Sequence, residues 1–375
     1  MKLTHDGIDK ILPFGELIRG FANQSNISKG DLKKTLRNRG IFLSSAEKEE
    51  MVPCLITLLL SPAEFDELRE CQNTREDTFK KSSSRIEWNS SSSLIDSIPD
   101  IFPYEEIIPN EYTNYQFKKP PTFTVVENNR DKVRIEYEIE RFDLNKSWYE
   151  SHNVFGGNLL IEKIKSDEIQ IIRTYTSSET EEVGNKLQRF IVRKCKERRF
   201  IDENKELNKI LFSSFSNSSR IVFFWRLTTH MDDEIFDFED LIDVEFRPDN
   251  SILLPNEIDW MHKKEELILK GHELQNTFFI KEKEYYQYLQ FWGLEGKFKF
   301  NYLGIKGSLT ASFEFASFSK LAENAEFEIK IVSINFIGQI EIREKEKIKQ
   351  KLLEILENKK NDIYNNYINY LATNI

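Results

Sequence analysis

The densest set of hard metal ligands in the sequence is His230-Met231-Asp232-Asp233, an imidazole beside two carboxylates. Such a group can hold Mg²⁺ or Mn²⁺ and activate water for phosphodiester hydrolysis. The alternative is a solvated acidic turn after the apolar run Ile221 to Trp225. The five histidines form no H-x-H or H-E-x-x-H pair, which removes the usual zinc signatures. There is no G-x-x-x-x-G-K-[ST], G-x-G-x-x-G or G-x-S-x-G, so a P-loop, a Rossmann cofactor and an esterase elbow find no support. No complete catalytic motif is present.

Glu328-Ile329-Lys330 resembles the E-x-K half of the PD-(D/E)XK nuclease pattern. The resemblance implies that Glu328 binds metal while Lys330 positions the attacking water. The preceding aspartate of that pattern could come from no nearer than Asp259, 69 residues upstream. Charged residues alternating on the solvent face of a strand also yield E-x-K by chance. Mg²⁺ or Mn²⁺ is expected only if this chain is itself a nuclease; otherwise no cofactor is expected.

Basic residues suggest a second chemistry, contact with phosphate. Ser28 and Asp31 form a capping pattern that starts a helix. Leu32 and Leu36 share one face of it, Lys33, Lys34, Arg37 and Arg39 the rest, and Gly40 can end it. Ser44 with Glu47 repeats the cap before a second helix that carries Lys48 outward and Met51, Leu55 and Leu58 inward. Between Ser28 and Lys48 six Lys or Arg face two acids, a local +4 in a chain of net charge −10. The spacing of Leu32, Leu36, Arg39-Gly40-Ile41, Lys48 and Met51 resembles the SAP and related helix-extended-loop-helix modules. That resemblance implies DNA binding through the basic helix and loop. Ala46 stands where such modules usually have glycine, and Pro53 should kink or shorten the second helix. The plainer alternative is a helical hairpin with a solvated lysine face.

A second basic concentration follows Ser178 and Glu181, which predict a helix reaching about Phe200. Lys186, Arg189, Arg193 and Lys196 share one face, and from Lys186 to Arg199 seven basic residues face one acid, a local +6. The stripe suits phosphate, or it pairs with the chain's own acidic stretch, Asp232 to Glu245.

These groups need elements to position them, and 375 residues with 39% hydrophobic and 13% aromatic content supply ample core. A pI near 5.3 restricts nucleic-acid binding to patches. Cys54, Cys71 and Cys195 are far apart, which suits reduced thiols and a cytoplasmic setting. No charged, apolar leader begins the chain, and the longest apolar run is far short of the ~20 residues that span a bilayer.

The expected class is α+β in three parts. Residues 1–71 form a small all-helical domain, closed by the helix that Ser61-Pro62-Ala63-Glu64 caps. Residues 72–121 read as a linker, polar through Lys80-Lys81-Ser82-Ser83-Ser84, then extended and punctuated by Pro99, Pro103, Pro109, Pro120 and Pro121. Residues 122–375 form a body of antiparallel strands, in hairpins near 122–142, 159–175 and 297–336, closed by a helix from about Glu341 whose apolar stripe docks on the sheet or on a second subunit.

This architecture loosely resembles accessory subunits of prokaryotic antiviral and mobile-element systems. The resemblance implies a DNA- or RNA-binding scaffold acting with a nuclease partner. The alternatives are a metal-dependent nuclease and a module that binds only protein.

Overall fold

In the computed structural model the described residues are 12–24, 27–43, 47–76, 78–98, 107–108, 114–142 and 152–373. The cap expected at Ser44 and the prolines at 99, 103 and 109 lie outside them. Two compact units divide the chain: Met1–Thr78 with Ile108–Lys119 and Glu138–Phe155, and Phe79–Ile107 with Pro120–Tyr137 and Gly156–Ile375.

The head contains α1 (Glu16–Asn23), α2 (Lys29–Asn38), α3 (Lys48–Ile56) and α4 (Pro62–Glu76). Local chemistry sets their limits. Ser28 accepts from the Asp31 amide while Asp31 accepts from Ser28, a complete capping box. Ser61 and Glu64 exchange the same bonds at the start of α4. Pro53 lies inside α3, which ends three residues later. Ile18, Phe21, Leu32, Leu36, Met51, Leu55 and Leu68 converge in one core, as the helical spacing requires.

The body is an antiparallel sheet of eleven strands: β1 (Lys80–Glu87), β2 (Tyr115–Val126), β3 (Asn129–Phe142), β4 (His152–Lys165), β5 (Glu168–Tyr175), β6 (Asn208–Lys209), β7 (Phe236–Pro248), β8 (Leu267–Lys270), β9 (Leu289–Tyr302), β10 (Ile305–Phe315) and β11 (Phe327–Phe336). Their order is β2-β3-β4-β5-β1-β11-β10-β9-β7-β8, with β6 on β1. Turn chemistry sets the hairpins. Glu127 and Asn128 join β2 to β3, and Leu303 and Gly304 join β9 to β10, each pair with positive φ. Gly307 is obligatory, since a Cβ there would lie 2.2 Å from the Asn335 carbonyl oxygen. Pro120 and Pro121 sit in β2, at the end of the order, where a missing donor does little harm.

Three long helices accompany the sheet: the basic helix (Ser178–Glu197), an apolar helix (Asn217–Thr229) and the terminal helix (Ile342–Thr373). The basic helix is capped by Ser177 and Thr180, one residue before the expected Ser178 and Glu181. Leu352, Leu353, Leu356, Ile363 and Tyr367 of the terminal helix are buried in the body's core with Phe223, Phe224, Phe315 and Phe327. Most of its apolar stripe thereby docks on its own sheet.

Two expectations need correction. The serine-rich run placed in the linker is β1, which pairs along its whole length with β5. Its serines are buried because each has a polar partner: Arg173 for Ser82, Asn361 and Lys360 for Ser83, Gln188 for Ser84. The acidic stretch is mostly β7, whose register against β9 shifts at three bulges. Two of the shifts place an extra residue in β7, Glu239 and Ile242, and so break the two-residue alternation that reveals a strand; the third places Trp292 in β9.

Candidate functional site

On α2 the expected phosphate contacts divide into two kinds. Lys34 is ion-paired with Glu67, and Arg39 donates to both Glu64 oxygens through Nε and Nη2, while Nη2 also donates to the Leu59 carbonyl at 2.9 Å. The Arg39 guanidinium and Ser61 hold the Glu64 carboxyl at about 2. Lys33 and Arg37 have no carboxylate partner among the described residues; Arg37 is exposed and Lys33 half-buried.

Lys48 does not point outward as expected. Its Nζ donates to the Ala22 and Gln24 carbonyls, at 3.1 and 2.6 Å, where α1 ends. Those carbonyls carry the negative end of the helix dipole, so the ammonium caps α1. Lys48→Met should lower the stability of the head by about 1 kcal/mol. A thermal melt unchanged from the parent would contradict that role. Residues 16–78 hold nine basic and eleven acidic residues, so the whole head is slightly acidic.

The stripe on the basic helix does not pair with the acidic stretch. Lys186 meets Glu182 at 2.6 Å, Arg193 approaches Glu197 at 3.9 Å, and Lys196 reaches Glu206 at 3.4 Å and the Glu203 carbonyl at 3.0 Å. Arg189 and Arg199 are exposed without an acidic partner among the described residues. The acids of 232–245 are held elsewhere: Glu239 by Lys297 and Lys299, Asp240 by His272, Asp243 by Lys270.

His230 caps the apolar helix and shares a 2.9 Å hydrogen bond with Thr229. Asp233 accepts from the Ile235 and Phe236 amides at 2.8 Å and pairs with Lys359 at 2.6 Å, while Asp232 accepts from the Phe238 amide at 2.7 Å. Both carboxylates thus shape the turn into β7, and lone pairs bound to amides and an ammonium are poorly available to a cation. Among the described residues no group of three or more His, Cys, Asp and Glu is arranged to hold a metal ion.

Glu328 and Lys330 belong to a different chemistry, a buried ion network on one face of the sheet. Strand alternation puts Lys80 and Ser82 of β1, Arg173 and Tyr175 of β5, Ser312 and Glu314 of β10, and Glu326, Glu328 and Lys330 around β11 on this face. Tyr175 donates to Glu328 at 2.6 Å, and Lys80 lies 3.0 Å from the other Glu328 oxygen. Lys330 bonds both Glu314 oxygens, at 2.7 and 2.8 Å. Burial raises the Glu328 carboxyl to about 7, helped by the hydrogen bond it shares with Glu314 and opposed by Lys80. A carboxyl that titrates near neutrality beside a phenol suits general acid–base chemistry. Glu328 is only 1% exposed and Tyr175 4%, so this pair presents no reacting atom to a substrate. It fastens strands.

That fastening matters because β1 and β11 pair only at Lys80↔Lys330 and Lys81↔Ile329. Arg173 binds Ser82 at 2.7 Å, Asn185 and Glu326; Lys209 reaches Glu326 at 2.8 Å. Sequence reading singled out Glu328 and Lys330 but missed Lys80, Arg173, Tyr175, Glu314 and Glu326. The one available signal was a run of charges inside otherwise apolar strands.

No helix among the described residues is long and apolar enough to cross a membrane. No curated protein matches the chain. Residues 16–78, about one sixth of the chain and the whole helical head, match the family model described as GAPS4b protein N-terminal domain.

Proposed function

We propose that the chain is a nucleic-acid-binding accessory subunit of a prokaryotic antiviral defence complex, working beside a nuclease partner. The match of the head to the GAPS4b N-terminal domain supports the defence setting. The observation that carries nucleic-acid contact is the set of cations without acidic partners among the described residues: half-buried Lys33 and exposed Arg37 on α2, and exposed Arg189 and Arg199 in and just after the basic helix. A cation whose charge is not cancelled by the protein keeps its full attraction for phosphate and releases counterions on binding. Lys34, Arg39, Lys186, Arg193 and Lys196 add contacts by exchanging surface carboxylates for phosphate, since exposed pairs are worth only about 0–1 kcal/mol. Lys48 is a cap and no contact. The SAP-like reading of the head therefore rests on Lys33 and Arg37.

The test is binding of labelled duplex DNA, single-stranded DNA and tRNA between about 50 and 200 mM salt. The comparison is with Lys33→Glu/Arg37→Glu and with Arg189→Glu/Arg199→Glu. Each pair should weaken binding at low salt and lower the slope of log affinity against log salt by about 2 if both residues touch phosphate. Absence of binding to all three at the lowest salt would sink the proposal. Equal binding by both variants would remove these residues from it.

A further inference from the structure

On the sheet face opposite the ion network, a cavity of about 490 Å³ lies under the first half of the terminal helix. Lys81 of β1, Arg134 of β3, Phe79, Tyr302 and Lys347 line it. Its size is that of a small-molecule site, well beyond what one water or one inorganic anion fills.

Lys81 is its unusual member. The side chain is half-buried in the cavity wall and makes no hydrogen bond or ion pair among the described residues. Burial holds its ammonium below the ordinary value, and Glu354 and Glu357 attract it only from a distance. The other lysine of the pair, Lys80, meets Glu328 on the opposite face at 3.0 Å. A half-buried ammonium with three unused donors is costly and gains most from an anion that brings several acceptors at once. Of the three acids that line the cavity, Glu354 is bonded by Lys351 at 3.0 Å, Glu136 lies 3.9 Å from Arg134, and Glu344 is exposed; none forms an ion pair with Lys81 among the described residues. Among the described residues the Arg134 guanidinium has the loose contact with Glu136 as its one ion pair, so its fork remains available for bidentate binding.

We propose that this cavity binds a small nucleotide, its phosphate seated between Lys81 and Arg134 and its base against the rings of Phe79 and Tyr302. Phosphate supplies the acceptors that Lys81 and Arg134 lack, Lys347 adds positive charge at the rim, and the aromatic wall accounts for the volume a bare phosphate leaves empty. Glu136 offers a carboxylate to ribose hydroxyls or to an exocyclic amine.

Calorimetric titration of the full chain with ATP, GMP and inorganic phosphate tests this. At least one nucleotide should bind, and Lys81→Met should weaken it about tenfold or more, since a charge-assisted contact is lost. Methionine replaces the buried stem without the ammonium. Lys347→Ala, on the exposed rim where folding is not at risk, should weaken binding several-fold by the same argument. No binding of either nucleotide at about 1 mM would overturn the proposal. Equal affinity in Lys81→Met, or inorganic phosphate binding as tightly as both nucleotides, would do so as well.

Discussion

Arg173→Met is expected to cost the body about 3 kcal/mol of stability, the loss typical when one partner of a buried ion pair is removed. The guanidinium is 2% exposed, and it joins Ser82 of β1, Asn185 of the basic helix and Glu326 beside β11. Burial works against the Glu326 carboxylate, and Arg173 with Lys209 outweighs it to hold the group below the usual range. Without Arg173 that carboxylate keeps only Lys209, 2.8 Å away. Ser82 and Asn185 lose their partner as well. Because the β1–β11 ladder is two residues long, little backbone bonding remains there to absorb the loss. Adding Glu326→Gln to Arg173→Met should recover about 1–2 kcal/mol by removing the stranded charge. Urea denaturation followed by tryptophan fluorescence reads both values. A loss below about 1 kcal/mol for Arg173→Met would show that the network does not hold the halves of the sheet together.

Glu328→Gln should flatten the dependence of stability on pH between about 5 and 8. The folded carboxyl titrates at about 7, above its ordinary 4.5, because burial disfavours its charge and Glu314 shares a proton with it. A raised folded value means that the folded state holds the proton more tightly than the unfolded chain. The stabilisation is therefore complete below about pH 4.5 and disappears as pH rises through 7. Glu314 is shifted the other way, so its contribution is lost only as pH falls into the acid range. Glutamine still accepts the Tyr175 hydroxyl proton and cannot ionise. Relative to the parent, the variant should gain about 2 kcal/mol on going from pH 5 to pH 8, with about 3 kcal/mol as the ceiling set by the shift. Parallel profiles for the two proteins would show that Glu328 stays charged throughout.

Local sequence determined the parts of this protein that depend on neighbours in the chain. The Ser28–Asp31 box, the Ser61–Glu64 box and the terminal helix follow from capping and period rules that act over four residues or fewer. The α+β class follows with them. Tertiary structure alone decided which charges are free and which are spent. Lys48 looked like a surface cation until α1 brought its terminal carbonyls to it, and Arg39 until α4 brought Glu64. Asp233 resembled a metal ligand until the turn into β7 and Lys359 took its oxygens. The sharpest case is Lys80-Lys81-Ser82-Ser83-Ser84. Its composition is that of a solvated linker, and polar side chains are buried only when partners satisfy them. Those partners, Glu328, Arg173, Asn361 and Gln188, come from β11, β5 and two helices far along the chain, and no window of sequence contains them.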